Sequence, residues 1–165
     1  MEREGYDLEL NLRPVTQDNW QEALKLTVRP DQQQFVAAYE PIVAVALSKA
    51  YIHLGGATWI PYAVYAGTVM VGFVELAYWP DAPSQYWIFH FFIDQQYQGQ
   101  GYGRAALEAL IRLVKREHQM CDALFLVVHP DNHRAQLLYL HAGFRLTGEM
   151  RWGEPVYQLS LRERK

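Results

Sequence analysis

Residues 98 to 104, Gln98-Gly99-Gln100-Gly101-Tyr102-Gly103-Arg104, place three glycines at alternate positions between an aromatic-rich run ending at Ile93 and the start of an amphipathic segment. Glycine lets the backbone adopt left-handed conformations and approach a ligand closely. The first turn of a following helix adds unpaired N–H groups and the positive end of its dipole. This is an anion cradle, and a pyrophosphate is the natural occupant. Arg104 at the helix start can add charge-assisted hydrogen bonds. A dinucleotide fingerprint would need glycine where Arg104 stands, and a phosphate loop of the nucleotide-triphosphate type would need a Lys-Ser/Thr pair that is absent. Glycine spacing by itself is also compatible with a turn that serves packing alone.

A second segment, Asn132-His133-Arg134-Ala135-Gln136-Leu137-Leu138-Tyr139-Leu140-His141-Ala142-Gly143-Phe144, carries further polar groups. Asn132 follows Pro130-Asp131 and is a natural helix cap. Tyr139 shares a helical face with Ala135, Leu138 and Ala142, so spacing alone reads it as a core ring. His90 and Glu75 sit inside two strand-like runs, where each is either a proton acceptor or a hydrogen-bonded sheet residue. The lone Cys121 cannot form an internal disulfide, the chain has no cysteine cluster, and its six histidines form no close ligand pair, so no metal site is expected.

The elements that must position these groups are legible from periodicity. Leu8 to Leu12 alternates as a half-buried strand, followed by a helix around Trp20 to Leu26. Arg29 to Gln34 is polar, contains Pro30 and reads as a loop; Val36 to Ala50 is helical in pattern but interrupted by Pro41. Trp59 to Tyr65 and Val69 to Trp79 form a hairpin across Ala66-Gly67-Thr68, and Tyr86 to Ile93 is the next strand. Gly101 to Glu117 is the clearest helix, with Leu107, Leu110, Ile111 and Val114 on one side and Arg104, Glu108, Arg112 and Lys115 on the other. A buried strand over Ala123 to Val128, a short helix over Asn132 to Ala142 and two strands, Phe144 to Met150 and Val156 to Leu161, complete the chain.

Composition sets outer limits. With 165 residues, half of them hydrophobic and a fifth charged, the chain has the balance of one globular domain spanning 1–165. A net charge of −3 leaves no surplus that calls for nucleic acid. The opening residues lack the basic start and apolar stretch of a leader, and no apolar run reaches membrane-spanning length, so a cytoplasmic protein with no membrane partner is expected.

Together, Gln98-x-x-Gly101-x-Gly103 and Asn132-x-x-Ala135-x-x-Leu138-Tyr139 followed by Gly143-Phe144 resemble the paired motifs of the GCN5-related N-acetyltransferase (GNAT) superfamily, over about residues 8 to 161. The resemblance implies a mixed α/β fold: a mostly antiparallel sheet of about seven strands flanked by about four helices, with a splay between two parallel strands ending at Ile93 and Val128. It implies acetyl-CoA bound there, with pantetheine against the backbone of Phe91, Phe92 and Ile93 and the pyrophosphate on Gln98, Gly99, Gln100, Gly101, Tyr102, Gly103 and Arg104, with Asn132 alongside. It assigns Tyr139 as the acid that protonates the departing thiolate. Many relatives carry an acidic residue where this chain has Phe89 and His90, which leaves His90 and Glu75 as base candidates. The looser likeness of Gln32 to Val36 and Trp87 to Gly103 is to the diamine and polyamine branch, so the expected acceptor is a small primary amine, with a polyamine leading and an aminoglycoside-like amine or a peptide N-terminus behind it. Family analogy also suggests a homodimer. Two other classes stay open: a non-catalytic acyl-CoA sensor or scaffold, and a nucleotide enzyme using the same glycine turn.

Overall fold

A computed structural model describes residues 9–162. Leu8, assigned to the first strand, lies outside the described residues, as do those before it. Among the described residues seven strands form one sheet in the order β1-β2-β3-β4-β5-β7-β6. They are β1 (Leu10–Pro14), β2 (Thr58–Ala66), β3 (Val69–Tyr78), β4 (Gln85–Ile93), β5 (Ala123–Val127), β6 (Arg145–Arg151) and β7 (Glu154–Ser160). Every neighbouring pair is antiparallel except β4 and β5. Among the described residues five α-helices accompany the sheet: α1 (Trp20–Leu24), α2 (Gln33–Val36), α3 (Ile42–Ile52), α4 (Tyr102–Glu117) and α5 (His133–His141).

The helix count exceeds the expected four because Arg29 to Gln34 is not a loop. Pro30 opens a 3₁₀ turn over Pro30–Gln32, which runs directly into α2. A proline in the first turn has no N–H to lose, so it starts a helical turn as readily as it ends one. Pro41 does break the following pattern, and α3 begins just after it.

The two sheet faces have separate cores. On one face α4 buries Leu107, Leu110, Leu113 and Val114 against Tyr86, Ile88, Leu124 and Leu126, with Tyr139 of α5 and Phe144 in the same cluster. On the other, Ala23 of α1 and Val43 and Ala46 of α3 pack on Ala63, Phe73 and Phe92. Among the described residues no helix is long and apolar enough to cross a membrane.

Two irregularities flank β4. The β3–β4 register slips between Phe73↔Phe92 and Glu75↔Phe89, so β4 carries one extra residue there. His90 takes up this bulge with φ +51°, a left-handed conformation unusual for a residue with a Cβ. The second lies between β4 and β5, which pair only over Gln85↔Ala123, Tyr86↔Leu124 and Trp87↔Phe125 and then separate. At the far end of β4, Gly72 of β3 admits the close approach of the neighbouring strand, since a Cβ there would stand 2.6 Å from the Phe92 carbonyl oxygen and 2.9 Å from Ile93 Cδ1. A backbone oxygen cannot rotate away, so Gly72→Ala must push β3 and β4 apart. We expect a loss of about 2 kcal/mol in urea unfolding, in the range of core overpacking.

Candidate active site

The divergence of β4 from β5 opens the sheet, and two adjoining cavities lie at the gap. A cleft of about 260 Å³ is walled by Phe91, Phe92 and Ile93, by the loop and first turn of α4 from Tyr97 to Arg104 apart from Gln100, and by Asn132, Ala135, Leu138 and Tyr139. A smaller throat of about 90 Å³ lies between the separated strands, bordered by Ile88, His90 and Phe91 on one side and Leu126, Val127 and Val128 on the other. Phe35, Val36, Phe91, Asn132, Ala135 and Tyr139 belong to both.

The cleft has the donors of an anion site. Gly99 and Gly101 stand at φ +78° and +85°, as a turn built on glycine requires. Gly101 is the N-cap of α4 and supplies no side-chain cap, so the N–H groups of its first turn face the cleft without an intrahelical acceptor. Gly103 adopts ordinary helical geometry, and a Cβ there would come no closer than 3.9 Å to Leu138, so the third glycine leaves room instead of relieving strain.

Asp94 holds the loop in place. Its carboxylate accepts from the N–H of Gln96 at 3.1 Å and of Thr27 at 2.9 Å. Gln98 donates to the Ile93 carbonyl at 2.9 Å and exchanges amide hydrogen bonds with Gln32 at 2.9 and 3.1 Å. The N–H of Asp94 donates to Val71 of β3, so the alternation along a strand turns the N–H of Ile93, and that of Phe91 two residues earlier, toward the opening. An extended amide chain lying there would find strand-like partners. Arg104 borders the cleft, but its exposed guanidinium pairs with Glu108 at 3.2 Å. Arg134 is a second exposed cation at the rim.

Tyr139 is 8 % exposed and stands between Phe91, at 6.4 Å between ring centroids, and Phe144, at 5.6 Å edge-on. Burial pushes its phenol well above the ordinary value, so it remains a proton donor throughout the working pH range. Asn132 caps α5 by accepting from the Ala135 N–H at 3.3 Å.

The two base candidates are placed differently from one another. His90 borders the throat, yet its ring is fully engaged: Nδ1 lies 2.6 Å from the Val36 carbonyl and Nε2 lies 2.8 Å from Lys49 Nζ. A carbonyl can only accept, so Nδ1 carries the proton, and the Nε2 lone pair accepts from Lys49. Burial and the Lys49 charge hold the imidazole pKa down to about 4.

Glu75 borders neither cavity. Its carboxyl is fully buried, and among the described residues both oxygens lack a hydrogen-bond partner. Burial pushes it up to about 8 despite the opposing charge of Lys49, so at neutral pH it is mainly a neutral acid. Cys121 is buried under α4, and burial pushes its thiol up to about 11.

Several lining residues give no sign of a site role in the sequence. Val28 and Arg134 carry no local signal. Gln32 and Phe35 fall in the Gln32 to Val36 stretch, which the sequence marks only through its looser likeness to the polyamine branch. Lys49, which lines neither cavity but stands behind His90, and Glu154, at the throat, lie in the α3 pattern and beside the Trp152-Gly153 turn, where nothing distinguishes them from solvated charges.

Comparison with known proteins agrees with this arrangement. Residues 19–144 match the model of the acetyltransferase (GNAT) family. The spermine/spermidine N(1)-acetyltransferase of Bacillus subtilis is 28% identical over 155 residues, covering 90% of this chain and 97% of the relative. Among solved structures, spermidine N-acetyltransferase from Vibrio cholerae, with CoA and spermine, superposes with a TM-score of 0.68 at 18% identity, covering 91% of this chain and 93% of that one. The aminoglycoside acetyltransferase AAC(6')-Ib with coenzyme A gives a TM-score of 0.74 at 18% identity, covering 92% and 95%. The expected mixed fold, with one parallel pair in an otherwise antiparallel sheet, is the fold these structures share.

Proposed function

Because the chain belongs to the GNAT acetyltransferase family, whose acetyl donor is acetyl-CoA, we propose that it transfers the acetyl group directly to a primary amine of a small molecule, with a polyamine as the leading acceptor. The observation that carries this reading is the adjoining pair of cavities, the glycine-turn cleft and the throat between β4 and β5, which share Phe91, Asn132, Ala135 and Tyr139 in their walls.

The residues fit the donor. Bare N–H groups of Gly99, Gly101 and the α4 first turn suit the pyrophosphate, with Arg134 and Arg104 at the rim. The N–H groups of Phe91 and Ile93 suit the pantetheine amides. Acetyl-CoA supplies an activated acyl carbon and a thiolate leaving group. Tyr139 protonates that thiolate: the dry surroundings that keep the phenol protonated also make a thiolate more basic, which favours the transfer. The polyamine assignment is supported by the Bacillus subtilis and Vibrio cholerae relatives, whose names give spermine and spermidine as their acceptors.

The test is release of free thiol from acetyl-CoA in the presence of polyamines, aminoglycosides and short peptides in turn. Spermine or spermidine is expected to give the highest kcat/KM. Tight acetyl-CoA binding with no thiol release from any amine would replace the enzyme by a non-catalytic acyl-CoA sensor, and no acetyl-CoA binding would remove both.

A further inference from the structure

The throat needs a group that receives the acceptor as an ammonium and takes its proton, and neither base candidate read from the sequence is free to do so. Glu75 is sealed away from both cavities. The His90 lone pair is filled by Lys49, and the other histidine at the throat, His129, accepts the Asp131 N–H on Nδ1 at 3.0 Å, leaving its remaining ring nitrogen as the protonated one. Among the described residues Glu154 is the only carboxylate bordering the throat. Its strand register puts it on the right side. Tyr157 and Leu159 of β7 join the core with α4, so Val156 and Glu154, offset by an odd number of residues, face the opposite side of the sheet. The β4 bulge turns His90 toward that same side, where it meets α2 and α3.

Glu154 is also left unpaired by its natural partner. Arg151 is its cross-strand neighbour at the end of the β6–β7 hairpin. The Arg151 guanidinium instead lies over three indoles, 4.6 Å from the Trp87 ring centroid, 4.7 Å from Trp152 and 5.4 Å from Trp79. Among the described residues no hydrogen bond or ion pair engages the Glu154 carboxylate. Stacking Arg151 on the tryptophans thus leaves a half-buried carboxylate beside an opening, with Arg151, His90 and His129 as the other titratable groups around it.

We propose that Glu154 binds the acceptor ammonium and is the proton acceptor of the transfer, which rests on the N-acetyltransferase reading above. The ammonium gives one proton to the Glu154 carboxylate, which stands near solvent and passes it to water. The freed nitrogen lone pair forms the C–N bond to the acyl carbon as the C–S bond breaks. Tyr139, from the opposite sheet face, gives its proton to the departing thiolate, and the second proton of the attacking nitrogen returns to Tyr139 or to water. Acid and base lie on opposite sides of the sheet, and both border the throat.

The experiment compares wild type, Glu154→Gln and Glu154→Asp by three readouts: thiol release with the best amine across pH, calorimetric affinity of that amine for the CoA-bound protein, and affinity for acetyl-CoA. In E154Q, kcat/KM is expected to fall about 10²-fold, in the range of a lost general base, and amine affinity about tenfold. Acetyl-CoA affinity stays within twofold, and E154D recovers part of both losses. Unchanged amine affinity and kcat/KM in E154Q overturns the proposal, as does a loss matched by equal loss of acetyl-CoA affinity, which marks a structural role. If the wild type itself turns over no amine, the N-acetyltransferase reading fails instead, and calorimetry with spermine on wild type and E154Q still reports whether Glu154 holds an ammonium.

Discussion

Tyr139→Phe is expected to lower kcat by 10²- to 10³-fold, in the range of a removed general acid, while acetyl-CoA affinity and folding stability hardly change. The substitution deletes one oxygen and keeps the ring that packs against Phe91 and Phe144. It opens no cavity in the core shared with α4. Among the described residues the hydroxyl has no hydrogen-bond partner that its removal would strand, so the usual penalty for breaking a buried polar pair does not arise. What is lost is the proton for the departing thiolate. Turnover should therefore recover partly with acyl donors whose leaving thiol is more acidic, because a better leaving group needs less protonation. Comparing kcat for an alkyl and an aryl thioester in wild type and Y139F checks this: a deficit of equal size with both donors would make Tyr139 a packing residue, as helical spacing alone suggests.

Local physics made one half of the site readable and left the other half out of view. The glycine turn could be found because its requirements are local: Gly99 and Gly101 occupy left-handed conformations just before a strongly amphipathic helix, and both facts are written in adjacent residues. The same holds for Asn132 capping α5. The throat is different, because it exists only where β4 leaves β5 after Trp87↔Phe125, and the register of a parallel pair separated by a long helix has no local signature. His90 illustrates the gap. Its type and position in the chain suggest a base, but the bulge that turns it toward Lys49 and Val36 decides its role, and a bulge depends on the partner strand. Glu75 sits in an alternating strand where sequence leaves its face open, and the fold turns it to the interior beside α3. Glu154 is the converse. A glutamate after a turn glycine looks like an ordinary solvated charge until Arg151 is seen stacked on tryptophan.

The buried pair Glu75 and His90 gives the fold an unusual response to pH, and Glu75→Gln isolates it. In the unfolded chain Glu75 titrates near 4.5, whereas in the folded protein its pKa is about 8. The folded state therefore binds the extra proton between these values, so the stability this group contributes is complete below about pH 4.5 and is lost as pH rises to 8. His90 works in the opposite direction. Its folded value near 4 lies below the ordinary 6.5, so its contribution is present above pH 6.5 and lost as pH falls toward 4. The two slopes oppose each other in the acidic range and leave Glu75 alone from pH 6.5 to 8. Measured by urea unfolding, the stability of wild type relative to E75Q is expected to fall on the order of 3 kcal/mol between pH 5 and pH 8, at about 1.4 kcal/mol per pH unit over the middle of that span. A pH-independent difference would mean that Glu75 is ionised in the folded protein, held by the Lys49 charge. That outcome would also alter the reading of His90, because a Lys49 ammonium drawn toward an anionic Glu75 would release the imidazole lone pair into the throat. The same titration thus decides how firmly Lys49 holds His90 out of proton transfer, and so how much of that work must fall to Glu154.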